Sequence, residues 1–127
     1  MTDAPIARFS VFALDCPDPS ALAEFYSALT GWPVAPPTDD DWVELDPGGA
    51  GATLAFQQIS EGEFTPPAWP GQVRPQRGHA DFAVPDLDAG EAAVLALGAR
   101  RHDVQPAPDN FRVYLDPIGH PFCLVRG

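Results

Sequence analysis

A chain of 127 residues suits one domain with one main core, and its 45% apolar content is enough to fill that core. Eighteen acidic residues against seven basic ones give a net charge of -11. That charge repels phosphate backbones and anionic lipid, which argues against nucleic-acid and membrane-surface binding.

The opening residues, MTDAPIARFSV, lack the charged and apolar regions of a signal peptide, and no apolar run reaches the roughly 20 residues that span a bilayer. Two cysteines, Cys16 and Cys123, make no disulfide framework, so a soluble cytoplasmic protein is expected. The first predicted strand is FSVFALD. Asp18 then reads as a helix N-cap with Pro19 at the first helical position, and Leu22, Phe25 and Leu29 form one stripe. Gly31 supplies a left-handed stop. GWPVAPP reads as irregular because proline removes backbone donors. DDDW at 39–42 reads as a solvated acidic turn. Strands are expected around Trp42 to Asp46 and Ala52 to Gln58, joined by the turn DPGGAG.

A long proline-rich stretch, about 59–78, carries Trp69, Arg74 and Arg77, and loops of that length are commonly linkers or binding loops. Trp69 is a candidate lid, since an aromatic ring can stack on a planar ligand; packing of its own loop is the alternative. Further on come a strand at His79 to Val84, a helix from Leu87 to about Leu97 capped by Asp86, and strands near Ala99 to Val104, Arg112 to Asp116 and His120 to Arg126.

These elements repeat. Cys16-Pro17-Asp18 falls on Val84-Pro85-Asp86, Leu45-Asp46-Pro47 on Leu115-Asp116-Pro117, and Gly49 on Gly119, at an offset of 68 to 70 residues throughout. Each copy reads strand, helix, strands, and the class is α+β.

Period-two alternation divides the strand residues into two sets. One set, Phe12, Leu14, Leu54, Phe56, Ala80, Phe82, Val84, Phe122 and Leu124, is apolar and expected to pack under the helices. The other set is Val11, Ala13, Thr53, Ala55, Gln57, His79, Asp81, Ala83 and Cys123. It mixes small and polar side chains, as a ligand pocket does.

Two βαβββ copies with these turns resemble the vicinal oxygen chelate superfamily, which includes glyoxalases, extradiol dioxygenases and bleomycin-resistance proteins. The residues that carry the resemblance are DPSALAEFYSALTGW, HADFAVPDLDA and VYLDPIGHPFCLV. It implies a single domain of two tandem modules, about 6–58 and 79–127, forming a cupped mixed sheet, and it implies a homodimer. In metal-dependent members, strands from both modules supply the ligands. Those positions land here on Val11, Ala55, His79 and Cys123, and valine and alanine have no donor atom. Asp81 points to the same side of its strand as His79 and is the one further donor available.

Catalytic metal sites usually take three protein ligands. The expectation is therefore a metal-independent protein without a cofactor, binding a small molecule (drug or metabolite) through Val11, Thr53, Ala55, Gln57, His79, Asp81 and Cys123, with Trp69 over them. The alternative is an enzyme of the same superfamily. It would be a lyase or isomerase with His79 as general base and Asp81 as helper, or a dioxygenase or glyoxalase with a divalent metal on His79 and Cys123. A nucleophilic Cys123 would need a lowered pKa, helped by His79. Asp46 and Asp116 read as turn formers. His120 reads as structural, and His102 as a surface residue.

Overall fold

Both copies of the repeat start a helix in the same way. The N–H of Ala21 donates to Oδ1 of Asp18 at 3.3 Å, and Oδ1 of Asp86 accepts from Asp88 and Ala89 at 2.8 and 3.2 Å. Each carboxylate satisfies donors that a helix start leaves unpaired. The computed structural model describes residues 10–36, 39–49, 51–60, 62, 64–66 and 79–127. The chain divides into two compact units, Met1–Phe64 and Thr65–Gly127.

The first unit contains β1 (Val11–Cys16), α1 (Pro19–Thr30), β2 (Val34–Ala35), β3 (Trp42–Leu45) and β4 (Thr53–Gln58). The second contains β5 (Ala80–Val84), α2 (Leu87–Ala96), β6 (Arg100–Arg101), β7 (Phe111–Leu115) and β8 (Pro121–Arg126). Each forms a four-stranded mixed sheet, in the orders β1-β4-β3-β2 and β5-β8-β7-β6. The first strand of each unit lies parallel to the last, and the remaining pairs are antiparallel. This is the α+β arrangement of two βαβββ modules expected above.

Two local expectations are corrected. Val34–Ala35 is a short strand, paired with Leu45 and Glu44, where the prolines suggested irregular chain. Its pairing partners, Leu45 and Glu44, lie on another strand beyond the acidic turn and leave no local signal. The strand expected over Ala99 to Val104 shrinks to Arg100–Arg101, because after the His102 N–H to Val113 carbonyl bond the Gln105 side chain takes over, accepting from Val113 N–H and donating to the His102 carbonyl.

The two faces of each sheet separate largely as the alternation predicts. Tyr26 on α1 stacks on Phe56, with ring centroids 5.6 Å apart, and Phe122 stacks on Tyr114 at 5.7 Å. Phe56, Phe122, Leu124, Val43 and Tyr114 are fully buried. Burial of each such side chain is worth about 1.5–3 kcal/mol. Phe12 departs from its expected packing and is 37% exposed. It stands on β1, the edge strand, while α1 lies mainly over β3 and β4.

In the second unit α2 sits close to the sheet at Gly90, where an added Cβ would meet Val84 and Leu124 at 3.2 Å. Glu91 ties this helix down. Its Oε1 accepts from the Tyr114 hydroxyl at 2.9 Å and lies 3.4 Å from Arg101 and 3.7 Å from Arg112. No described helix is long and apolar enough to cross a membrane.

Candidate functional site

In the second unit the donor-bearing residues meet through strand geometry. His79 immediately precedes β5, and Asp81, two residues on, projects to the same side. The parallel register sets Asp81 opposite Cys123 on β8. Nε2 of His79 lies 3.1 Å from Oδ1 of Asp81. Ligand atoms of His79, Asp81 and Cys123 all lie within 4.8 Å of one another. The His79 and Asp81 side chains are 29% and 54% exposed, whereas Cys123 is 1% exposed. The trio is thus a buried thiol beneath an accessible imidazole–carboxylate pair.

Burial pushes the Cys123 thiol up to about 12, and the charge of Asp81 and a hydrogen bond with it push the same way. A nucleophilic cysteine requires the opposite shift. Burial first and the neighbouring Asp81 second both favour the protonated thiol, which weighs against the nucleophile reading of Cys123.

The first unit presents different chemistry on the corresponding face. Val11 is paired with Thr53, Ala13 with Ala55 and Asp15 with Gln57 along the parallel ladder. Val11, Ala13 and Ala55 offer no side-chain donor. The Thr53 hydroxyl is committed to the Leu45 carbonyl at 2.6 Å, and Ala55 is fully buried. Gln57 is exposed.

Val11 and Thr53 line an open cleft of about 400 Å³, together with Ala35, Glu44, Asp46 and Pro47. Ala55 and Gln57 are not among its described lining residues. Two residues on this face went unnoticed in the sequence: Trp42, paired with Gln57, and Glu44, paired with Ala55. Nε1 of Trp42 donates to Oε2 of Glu44 at 2.8 Å. The alternation of Trp42 and Glu44 with buried Val43 and Leu45 was the signal available.

Asp46, Asp116 and His102 make local hydrogen bonds. Oδ1 of Asp46 accepts from Gly48 N–H at 2.9 Å. Fully buried Asp116 accepts from Ile118 and His120 N–H at 3.0 and 2.9 Å. Both are turn formers, as the Leu-Asp-Pro repeat implied. Nδ1 of His102 accepts from Val104 N–H at 3.0 Å. Trp69 lies outside the described residues.

The metal positions of the superfamily can be tested on this donor set. A chelate drawing on both modules does not fit, because Val11 and Ala55 have nothing to coordinate with. The count within the second unit alone rises to three, His79, Asp81 and Cys123, which is the protein-ligand number of an open tetrahedral zinc site.

Tandem βαβββ units with mixed sheets and one helix each define the class of paired-module α+β proteins. The chain belongs to the Glyoxalase-like domain family, whose profile matches residues 11–125. Among solved structures it is similar to a glyoxalase/bleomycin resistance protein/dioxygenase family enzyme from Burkholderia phytofirmans, with 19% identity, 94% of this chain and 98% of that one covered, and a TM-score of 0.65. It is also similar to the bleomycin-binding protein of Streptomyces verticillus, solved with copper(II)-bleomycin, with 18% identity, coverage of 100% and 99%, and a TM-score of 0.58. A third is the oxidase ChaP-H2, with 14% identity, coverage of 97% and 95%, and a TM-score of 0.59. At these identities the likeness concerns the fold. No curated protein matches the sequence.

Proposed function

We propose that this chain binds a small organic molecule with its own side chains and without a bridging metal. One observation carries the reading: the first unit holds valine and alanine, Val11 and Ala55, where a two-module metal site needs donors, beside a cleft of about 400 Å³. That volume lies in the range of ordinary ligand pockets. A similar fold holds copper(II)-bleomycin, a small molecule that brings its own metal, in the bleomycin-binding protein of Streptomyces verticillus. Both cysteines are free thiols, which suits a reducing cytoplasmic setting. Pairing into a homodimer is proposed on the family resemblance, and sedimentation tests it.

The functional test is a ligand screen by thermal shift on chelator-treated protein. Ligands that raise the melting temperature of the metal-free protein are expected. Stabilisation that appears only after metal is added back removes the reading.

A second reading has an observation of its own. Asp81, 3.1 Å from Nε2 of His79, can orient the imidazole for general-base chemistry, and the trio with Cys123 has the count for a single-unit metal site. Metal titration followed by turnover assays of His79→Ala tests it. Unchanged turnover excludes His79 from the chemistry.

A further inference from the structure

The division into two units exposes an uneven charge distribution. Residues 1–64 hold eleven of the 18 acidic side chains and a single arginine, Arg8, whereas residues 65–127 hold seven acids and six arginines. The chain has no lysine, and all three histidines lie in the second unit. The cleft of the first unit therefore belongs to a segment, residues 9–64, with no basic side chain of its own. Its walls combine apolar Val11, Ala35 and Pro47 with the acidic residues Glu44 and Asp46.

The two acids differ in their commitments. Asp46 forms its turn with Gly48. Glu44, a residue of the cleft wall, is held by the indole N–H of Trp42, which donates to its Oε2 at 2.8 Å and restrains the carboxylate. The register pair Ala35–Glu44 keeps the small alanine beside it, so the acid is not crowded by its cross-strand neighbour.

We infer that the cleft between β1, β3 and the turn after β3 takes an organic cation, an amine on an apolar body, with Glu44 as its counter-ion. The inference rests on the small-molecule reading above and adds the ligand class. An oriented carboxylate beside apolar walls selects a cation over its neutral analogue, because the neutral molecule fills the walls but leaves the charge unmatched. The acidic field of the whole unit draws cations toward it, and salt screens that contribution.

The test uses two probes of matched shape, 4-phenylbutylamine and 4-phenylbutanol, followed by amide and indole shifts in nitrogen-labelled protein. The amine is expected to shift the Trp42 indole and the amides of Glu44 and Thr53, and to bind about tenfold or more tightly than the alcohol at low salt, a difference of about 1.4 kcal/mol. Glu44→Gln, which preserves size and can still accept from Trp42, should bring that ratio close to one. Asp40→Asn removes an equal charge from an exposed turn of the same unit and should leave the ratio largely intact.

Equal binding of amine and alcohol in the cleft overturns the cation assignment while leaving small-molecule binding standing. A ratio lost equally in Asp40→Asn and Glu44→Gln also overturns it, since the general field would then be the cause. Absence of cleft shifts with either probe overturns it as well, and the metal-free ligand screen then judges the broader reading alone.

Discussion

The two units share a strand order, a capping aspartate and a Leu-Asp-Pro turn, yet they differ in what their helix-free faces carry. The first presents Val11, Ala13 and Ala55 beside a Trp42–Glu44 pair, in a segment almost devoid of positive charge. The second presents His79, Asp81 and Cys123, and its arginines at 101 and 112 pair with Glu91 and Asp88 on α2. Similar topology with dissimilar chemistry shows where the fold is demanding. Helix-facing positions are mostly apolar and well packed, with Arg112 paired to acids of α2 as the charged exception, whereas the opposite faces of the two units carry different side chains.

If the helix-facing sides are equivalent, equivalent truncations should cost alike. Phe56→Ala and Phe122→Ala, each removing a buried ring from a stacked aromatic pair, should each destabilise by about 3–5 kcal/mol in urea unfolding. A loss below about 1 kcal/mol at either would show that one unit is built differently.

The next effect belongs to the second unit. The folded value of the Cys123 thiol, about 12, lies above its ordinary 9.0. The stability drawn from the buried neutral thiol is thus complete below about pH 9 and is lost as pH rises toward 12, by up to about 4 kcal/mol. In metal-free protein, Cys123→Ala should flatten the alkaline decline of the melting temperature, and an unchanged decline would refute the assignment.

A smaller contrast separates two equivalent turn glycines. Gly49 and Gly119 both have positive φ, 87° and 100°, but only at Gly119 would a Cβ strike a neighbour, Pro66 Cβ at 2.7 Å. Gly119→Ala should therefore cost more than Gly49→Ala, about 2–3 kcal/mol against about 1, by thermal denaturation. The smallest difference lies in the caps. Asp86 satisfies two helical N–H groups and Asp18 one, so Asp86→Ala should exceed Asp18→Ala within a range of about 0.5–2 kcal/mol.

Features that depend on local chemistry were legible in the sequence. Asp18 and Asp86 announced the helix starts, and Asp46 and Asp116 the turns. The two-residue spacing of His79 and Asp81 placed them on one side of a strand. Features that depend on a distant partner were not. Val34–Ala35 becomes a strand only because Glu44 and Leu45 come alongside. Cys123 joins His79 and Asp81 through the parallel register of β5 with β8, which alternation narrows to a face but does not locate along it. Glu44 was obscured because the acidic run before it reads as solvated turn. That holds for Asp39, which accepts from Asp41 and Trp42 N–H, and ends at the indole bond to Glu44.

The parallel pairing of first strand with last also sets an order of assembly. β1 finds its hydrogen-bonding partner only when β4 exists, some forty residues later, and β5 waits likewise for β8. The antiparallel pairs β3–β4 and β7–β8 close over short loops at lower entropic cost. Loop-closure cost thus predicts that the first strand of each unit is the last to be locked in place. In native-state hydrogen exchange the amides of β1 and β5 should open before those of β4 and β8.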